Sequence, residues 1–293
     1  MEKNIRTILV SLLLTYSCIV LASPPTNYYK NAEDKQGNAL KSALHKIIDG
    51  HITIPYTQSG NTDWHDGEKM DVWEALTYTD SVCQDDEPKC GLLQLLYLSE
   101  IRPISKANRG SGKDDSWDRE HVWPKSRGFA NKNQDGYTDL HHLRPADRNI
   151  NGTHSNYGYD NGGSFVTDKR ESGENVITSA RLDKNNESFE PTDRAKGQIA
   201  RMIFYMAVRY DPGDSADPEH MPDLKIRDTN KRVKEAWIGD LCTLLNWHNT
   251  FSPTDFERRR NDRVMEIQGN RNPFIDKASW ANQIWGDKCH DGT

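Results

Sequence analysis

Several common chemistries leave no trace in this sequence. There is no Cys-x-x-Cys pair, which argues against a structural zinc site. No glycine-rich phosphate loop, dinucleotide fingerprint or His-Glu-x-x-His pair is present, so nucleotide cradles of those kinds and helical zinc-protease sites lack their motifs. No repeat period is visible. An excess of positive charge is also missing, because 38 lysines and arginines face 44 aspartates and glutamates. That excludes a general polyanion binder, whose affinity comes from many cations neutralising phosphates. It leaves room for a local basic face, for which Arg258, Arg259, Arg260, Arg263 and Arg271 are clustered candidates. Hydrophobic residues make up only 34% of the chain and glycines number 20, which predicts a loop-rich fold around a modest core.

The apolar run from Ile8 to Ala22 follows Lys3 and Arg6 and ends in small residues. Residues 1–22 therefore read as a secretory signal, and no later run reaches membrane length. Removing Glu2, Lys3 and Arg6 with it takes the formal charge from -6 to -7. Residues 23–293 are expected as one domain, a soluble exported monomer. Four cysteines remain, Cys83, Cys90, Cys242 and Cys289, an even number suited to two disulfides in an oxidising compartment. Of three pairings, Cys83 with Cys90 and Cys242 with Cys289 are favoured, since the first two bracket a short polar loop.

Leu40, Ala43, Leu44, Ile47 and Ile48 recur at helical spacing and predict a packing helix over 38–48. Residues 59–69 are polar and turn-rich, Met70–Tyr78 reads as a strand, Leu92–Leu98 as a buried element and Ser105–Ser116 as a flexible connector. Gly152–Gly173 reads as surface loop. Three helices follow: one over 196–210, one over 233–245, and one opened by a Thr254–Glu257 capping box and stopped at Gly269.

The stretch Trp117-Asp118-Arg119-Glu120-His121-Val122-Trp123-Pro124 sets a carboxylate beside an imidazole. A neutral His takes a proton from water at pH 7, and a Glu holds a hard divalent cation, a pairing suited to metal-assisted hydrolysis. On a regular strand the two side chains would point to opposite faces. A loop from Lys125 to Thr138 leads to Asp139-Leu140-His141-His142-Leu143, which alternates like a second strand ended by Arg144-Pro145. A short helix is expected from Asp147 to Asn151, bringing Asn151 over the Glu120–His121 end.

These motifs, with Asn151-Gly152, Ser155-Asn156 and Gln268-Gly269-Asn270-Arg271-Asn272-Pro273-Phe274, resemble the endonuclease I family of secreted and periplasmic bacterial nucleases, within the ββα-metal (His-Me finger) group. The resemblance spans residues 70–285. It implies an α+β fold, a ββα-metal core at about 117–156 embedded in a mostly helical domain. It implies non-specific cleavage of DNA and possibly RNA, leaving 5′-phosphates. His121 would be the general base, with Glu120 and Asn151 as ligands of one magnesium that manganese could replace. Arg127 in the connecting loop and Arg144 beside Pro145 are the candidates for steadying the cleaved phosphate. Glu257, Asn261 and Gln268–Asn272 match family positions either as substrate contacts or as buried packing, and His141 is expected to be structural. A phosphodiesterase acting on small phosphoesters, or an inactive exported nucleic-acid-binding protein, are the alternatives. Asn151-Gly152-Thr153 is also a glycosylation sequon, which bacterial export makes accidental.

Overall fold

The spacing of Leu40, Leu44 and Ile48 puts them on one buried face of α1 (Gly37–Ile48). A computed structural model describes residues 23–58, 70–83, 90–110, 112–212 and 221–289. The expected signal at 1–22 and the polar stretch 59–69 lie outside the described residues.

The strand expected over Met70–Tyr78 is instead a helix, α2 (Val72–Thr79). Asp71 opens it by accepting from the backbone of Trp73 (2.7 Å) and Glu74 (3.3 Å), while Glu74 accepts from the Asp71 amide (3.3 Å). This reciprocal cap satisfies free amides and overrides the strand preference of Val72, Trp73 and Tyr78. The strands β1 (Leu92–Gln94) and β2 (Ile101–Pro103) then form a small antiparallel pair.

The central motif forms β3 (Trp117–His121), antiparallel to β4 (Leu143–Asp147), with Glu120 opposite Arg144 and His121 opposite Leu143. The second strand thus begins where it was expected to end. Asp139 is the cause: its side chain accepts from the His141 amide (2.9 Å), and its carbonyl from the amides of His142 and Leu143. A turn held by a side chain in this way displaces extended backbone. Pro145 is tolerated in β4 because each strand of a two-stranded sheet has an unpaired edge. Asp147 caps α3 (Arg148–His154) through the amides of Asn149 (2.8 Å) and Ile150 (3.2 Å).

Gly152–Gly173, expected as loop, holds β5 (Gly158–Tyr159) and β6 (Ser164–Lys169). With β7 (Asn175–Asp183) and β8 (Ser188–Glu190) they make a four-stranded sheet in the order β5-β8-β7-β6. β6 and β7 are largely exposed and β5 and β8 are only two and three residues long, so no apolar alternation marks them in the sequence.

The core is organised around α4 (Asp193–Arg209), buried from Ala195 to Arg209. Ile199, Ile203, Phe204 and Val208 are fully enclosed, each worth roughly 1.5–3 kcal/mol of burial. After a parallel pair, β9 (Lys225–Ile226) and β10 (Trp237–Ile238), comes α5 (Leu241–Thr250), which packs on α4. The helix expected from residue 233 starts only here, because Asp240 caps the amides of Cys242 and Thr243 (both 3.0 Å). The Thr254–Glu257 box opens α6 (Asp255–Gln268), and Gly269 ends it in the left-handed conformation, as the spacing predicts. Two short helices, α7 (Pro273–Asp276) and α8 (Ser279–Trp285), complete the order. Cys83 pairs with Cys90 and Cys242 with Cys289, the favoured connectivity. Among the described residues no helix is long and apolar enough to cross a membrane. The architecture is mixed α+β.

Candidate active site

The β3–β4 hairpin and α3, which packs on both strands, bring Glu120, His121 and Asn151 to one cleft of about 470 Å³. Glu120 and His121 both lie in the β3–β4 ladder, and His121 is the last residue of β3 before the chain turns through Val122–Pro124.

Glu120 is only 4% exposed. Its Oε1 accepts from the Tyr97 hydroxyl (2.6 Å) and from His154 Nδ1 (2.9 Å). Burial, followed by the Glu120 charge, raises the Tyr97 phenol well above its usual range, so it remains a protonated donor. The Tyr159 hydroxyl, 2.9 Å from that of Tyr97, ties the cluster to the Val122 carbonyl. The other carboxylate oxygen of Glu120 takes no hydrogen bond among the described residues, and Glu120 lines the cleft. One oxygen is anchored and the other is open.

His121 has a similar division of labour. Its Nε2 lies 2.9 Å from the Tyr137 carbonyl, which can only accept, so Nε2 carries the proton and Nδ1 keeps its lone pair. Nδ1 makes no hydrogen bond among the described residues. Tyr56 stacks on the ring at 5.7 Å and Tyr137 meets it edge-on at 4.8 Å. Burial in this collar, then the neighbouring His142, pushes the imidazole well below its usual pKa and keeps it neutral at pH 7.

The Asn151 side chain makes no hydrogen bond among the described residues; its backbone carbonyl accepts from Ser155 (2.9 Å). One open carboxylate oxygen and one uncommitted amide are hard donors, and the cleft leaves room for water and phosphate. This donor set fits a small divalent cation of the magnesium or manganese kind, which needs few protein ligands. Among the described residues the one grouping of three His, Cys, Asp or Glu ligand atoms is Asp228, Asp240 and Cys242, away from the cleft, and its cysteine is spent in a disulfide.

Cations at the cleft are Arg119 and Lys125. Arg119 lies 3.5 Å from the Tyr56 ring centre and donates to the Tyr56 carbonyl and Thr57, while Lys125 donates to the Tyr137 hydroxyl (2.9 Å). Among the described residues neither has a carboxylate within ion-pair distance, so both leave positive charge facing the cleft.

The structure does not bring Arg127 or Arg144 to the cleft. Arg127 is fully buried and donates to the carbonyls of Asn156 (2.6 and 3.1 Å) and Trp237 (3.1 Å). Arg144 is equally buried, pairing with Asp80 and donating to Gln198 (2.9 Å). Direct phosphate contact, expected of one of them, is closed to both by burial and by these partners. The later motif is packing as well. Glu257 pairs with Arg201 (2.6 and 2.9 Å), and Asn261 is enclosed. Gln268 accepts from the Leu140 amide (2.9 Å) and donates to Asp139 (3.0 Å), and His141 bonds the Asn270 carbonyl (3.1 Å). These residues fix the turn that starts β4.

Sequence reasoning missed Tyr97 and His154, which grip Glu120, and the tyrosine collar of His121. His154 had one signal, its position three residues after Asn151 on a short helix, where both reach one side.

Residues 36–279 match the model of the family described as Endonuclease I. The chain belongs to the endonuclease I family. As a family member it is a nuclease, a phosphodiester hydrolase. An extracellular ribonuclease of Bacillus amyloliquefaciens is 41% identical over 273 residues, covering 92% of this chain and 82% of the relative. An extracellular ribonuclease of Bacillus subtilis (strain 168) is 37% identical over 278 residues, covering 92% and 84%. A periplasmic deoxyribonuclease of Aeromonas hydrophila is 28% identical over 143 residues, 47% of each chain. Endonuclease I nucleases are metal-dependent, in keeping with the donor set in the cleft.

Proposed function

We propose that this chain is an exported, magnesium-dependent endonuclease that cleaves RNA and DNA without sequence preference, leaves 5′-phosphates and acts as a monomer after loss of residues 1–22. The relatives named ribonucleases, matched over more than four-fifths of their length, favour RNA as the foremost substrate, and those named deoxyribonucleases match over less than half of theirs. Two disulfides and extracellular or periplasmic relatives support export. The carrying observation is the state of His121: Nε2 is occupied by the Tyr137 carbonyl and Nδ1 is a bare base, in the cleft that Glu120 also lines.

In this reading the hairpin and α3 form a ββα-metal core. Glu120 and Asn151 would hold the metal, and Tyr97 and His154 fix the carboxylate so that its free oxygen stays in place. When bound, the cation supplies Lewis-acid stabilisation of charge developing on the phosphate oxygens. His121 Nδ1 takes a proton from the attacking water, whose oxygen bonds to phosphorus as the bond to the 3′ oxygen breaks; the 3′ hydroxyl regains a proton from solvent. Arg119 and Lys125 add positive charge to a cleft in an acidic protein.

The test is cleavage of structured RNA and supercoiled plasmid by the mature protein and its His121→Ala variant, each with magnesium and with chelator. Wild-type cleavage should require the metal, and the variant should lose about 10²- to 10⁴-fold in rate while keeping its fold. Full activity in the variant would sink the mechanism. Turnover of bis(p-nitrophenyl) phosphate with no polymer cleavage would favour the small-phosphoester reading instead.

A further inference from the structure

Arg232 hydrogen-bonds two residues that line the same cleft, from a segment that no motif singled out. Its Nε donates to Asn156 Oδ1 (2.7 Å), Nη2 to Ser155 Oγ (3.2 Å) and Nη1 to the Tyr157 hydroxyl (3.4 Å), and its guanidinium lies 4.3 Å from the Tyr157 ring centre. Asn156 and Ser155 line the cleft, and Ser155 closes the helical turn that starts at Asn151. The backbone amide of Arg232 donates to Glu187 (2.9 Å), but among the described residues no carboxylate lies within ion-pair distance of the guanidinium. An exposed guanidinium is thus held by neutral groups alone. Among the described residues three of its five N–H donors are engaged and two take no partner. The fork is oriented, charged and unneutralised one helical turn beyond the proposed metal ligand.

A side chain in that state suits an anion that arrives from outside, and a phosphodiester is the anion that accompanies the scissile bond in any nucleic-acid strand. The turn it grips is also fixed from below, where Arg127 donates twice to the Asn156 carbonyl. Ser155 itself sits at φ 53°, a left-handed position for a non-glycine residue, held by these contacts. Lys231 and Lys234 are exposed on either side of Arg232 and extend the same positive edge.

We propose that Arg232 is a substrate-binding residue, taking the phosphodiester that flanks the scissile one on a bound single strand. This rests on the nuclease reading above and gives the strand an arginine contact at a phosphate other than the cleaved one for which Arg127 and Arg144 were candidates.

The experiment uses the full mature protein, its Arg232→Ala and its Arg232→Lys variants. Binding of a fluorescent oligothymidylate is measured in chelator across a salt series, and kcat and KM for the same strand with magnesium. Loss of one phosphate contact should lower the slope of log affinity against log salt by about 0.7. It should also weaken binding by about ten-fold or more at low salt. KM should rise with kcat nearly unchanged, and Arg232→Lys should recover the slope and part of the affinity. An unaltered slope in Arg232→Ala, with or without weaker binding, overturns the proposal, since a merely structural arginine would not change the number of phosphates neutralised. A wild-type protein that does not bind the strand overturns it too. Wild-type binding with no cleavage under magnesium would fail the nuclease reading while leaving this contact measurable.

Discussion

Two sheets contact α3, the β3–β4 hairpin through both strands and the β5-β8-β7-β6 sheet through β6. In the hairpin every residue of β4 is buried, and Glu120, Arg144 and Asp147 each hold another segment through named hydrogen bonds. In the larger sheet the short strands β5 and β8 are mostly buried, but in the longer pair only Val166 and Asp168 of β6 and Ala180 of β7 are, while Phe165 is 55% and Ile177 72% exposed. The smaller sheet therefore carries more specific structure per residue than the β6–β7 pair. Two strands alone are marginal in water; here the core, α3 and charged partners on other elements give the hairpin its rigidity.

Acidification should separate the two sheets most strongly. His141 and His142, in the turn that starts β4, are buried and held down to about 4, chiefly by desolvation. In the unfolded chain they would bind protons near pH 6.5, so the native state loses stability as pH falls from there towards 4, by about 1.4 kcal/mol per pH unit for each. Hydrogen exchange at pH 4.5 should show the amides of Leu143–Asp147 loosening relative to pH 7 more than those of Asn175–Asp183. Equal loosening of both would show that the two sheets open as one unit.

A smaller effect is expected from His154→Ala. It leaves Tyr97 as the single grip on Glu120, and manganese affinity, measured by calorimetry well below the melting temperature, should fall about 10- to 100-fold. Unchanged affinity would mean that the tyrosine suffices. Smallest of all, Ile177→Thr on the exposed sheet should shift unfolding free energy by within about 0.5 kcal/mol in denaturant titration. A loss several times larger would show that this surface is covered by contacts the single chain does not reveal.

The same contrast explains what could be read in advance. The shared cleft of Glu120, His121 and Asn151 was legible because these residues stand in short motifs, and α6 because Thr254, Glu257 and Gly269 mark both its ends. The larger sheet was not, since strands open to water need no apolar alternation. At α2 eight residues rich in apolar and β-branched side chains fit either element, and the Asp71–Glu74 pair distinguishes them. The start of β4 depended on how Asp139 bonds to its own following amides, a choice that Gln268, more than a hundred residues away, helps to stabilise. Arg127, Arg144 and Arg232 look alike in one dimension. Burial decides which of them keeps charge available, and burial is a property of the assembled chain.

Arg127 gains a different meaning from that placement. Its planar fork joins the Asn156 carbonyl to the Trp237 carbonyl, and so sets the turn after α3 in register with the segment that delivers Arg232. A lysine there would bring one compact tip on a flexible stem, unable to reproduce the two fixed directions of the fork. For variation over evolutionary time, this hidden position is therefore narrower than the exposed one: Arg232 can drift to lysine and keep its charge, whereas at Arg127 preserving the charge does not preserve the join.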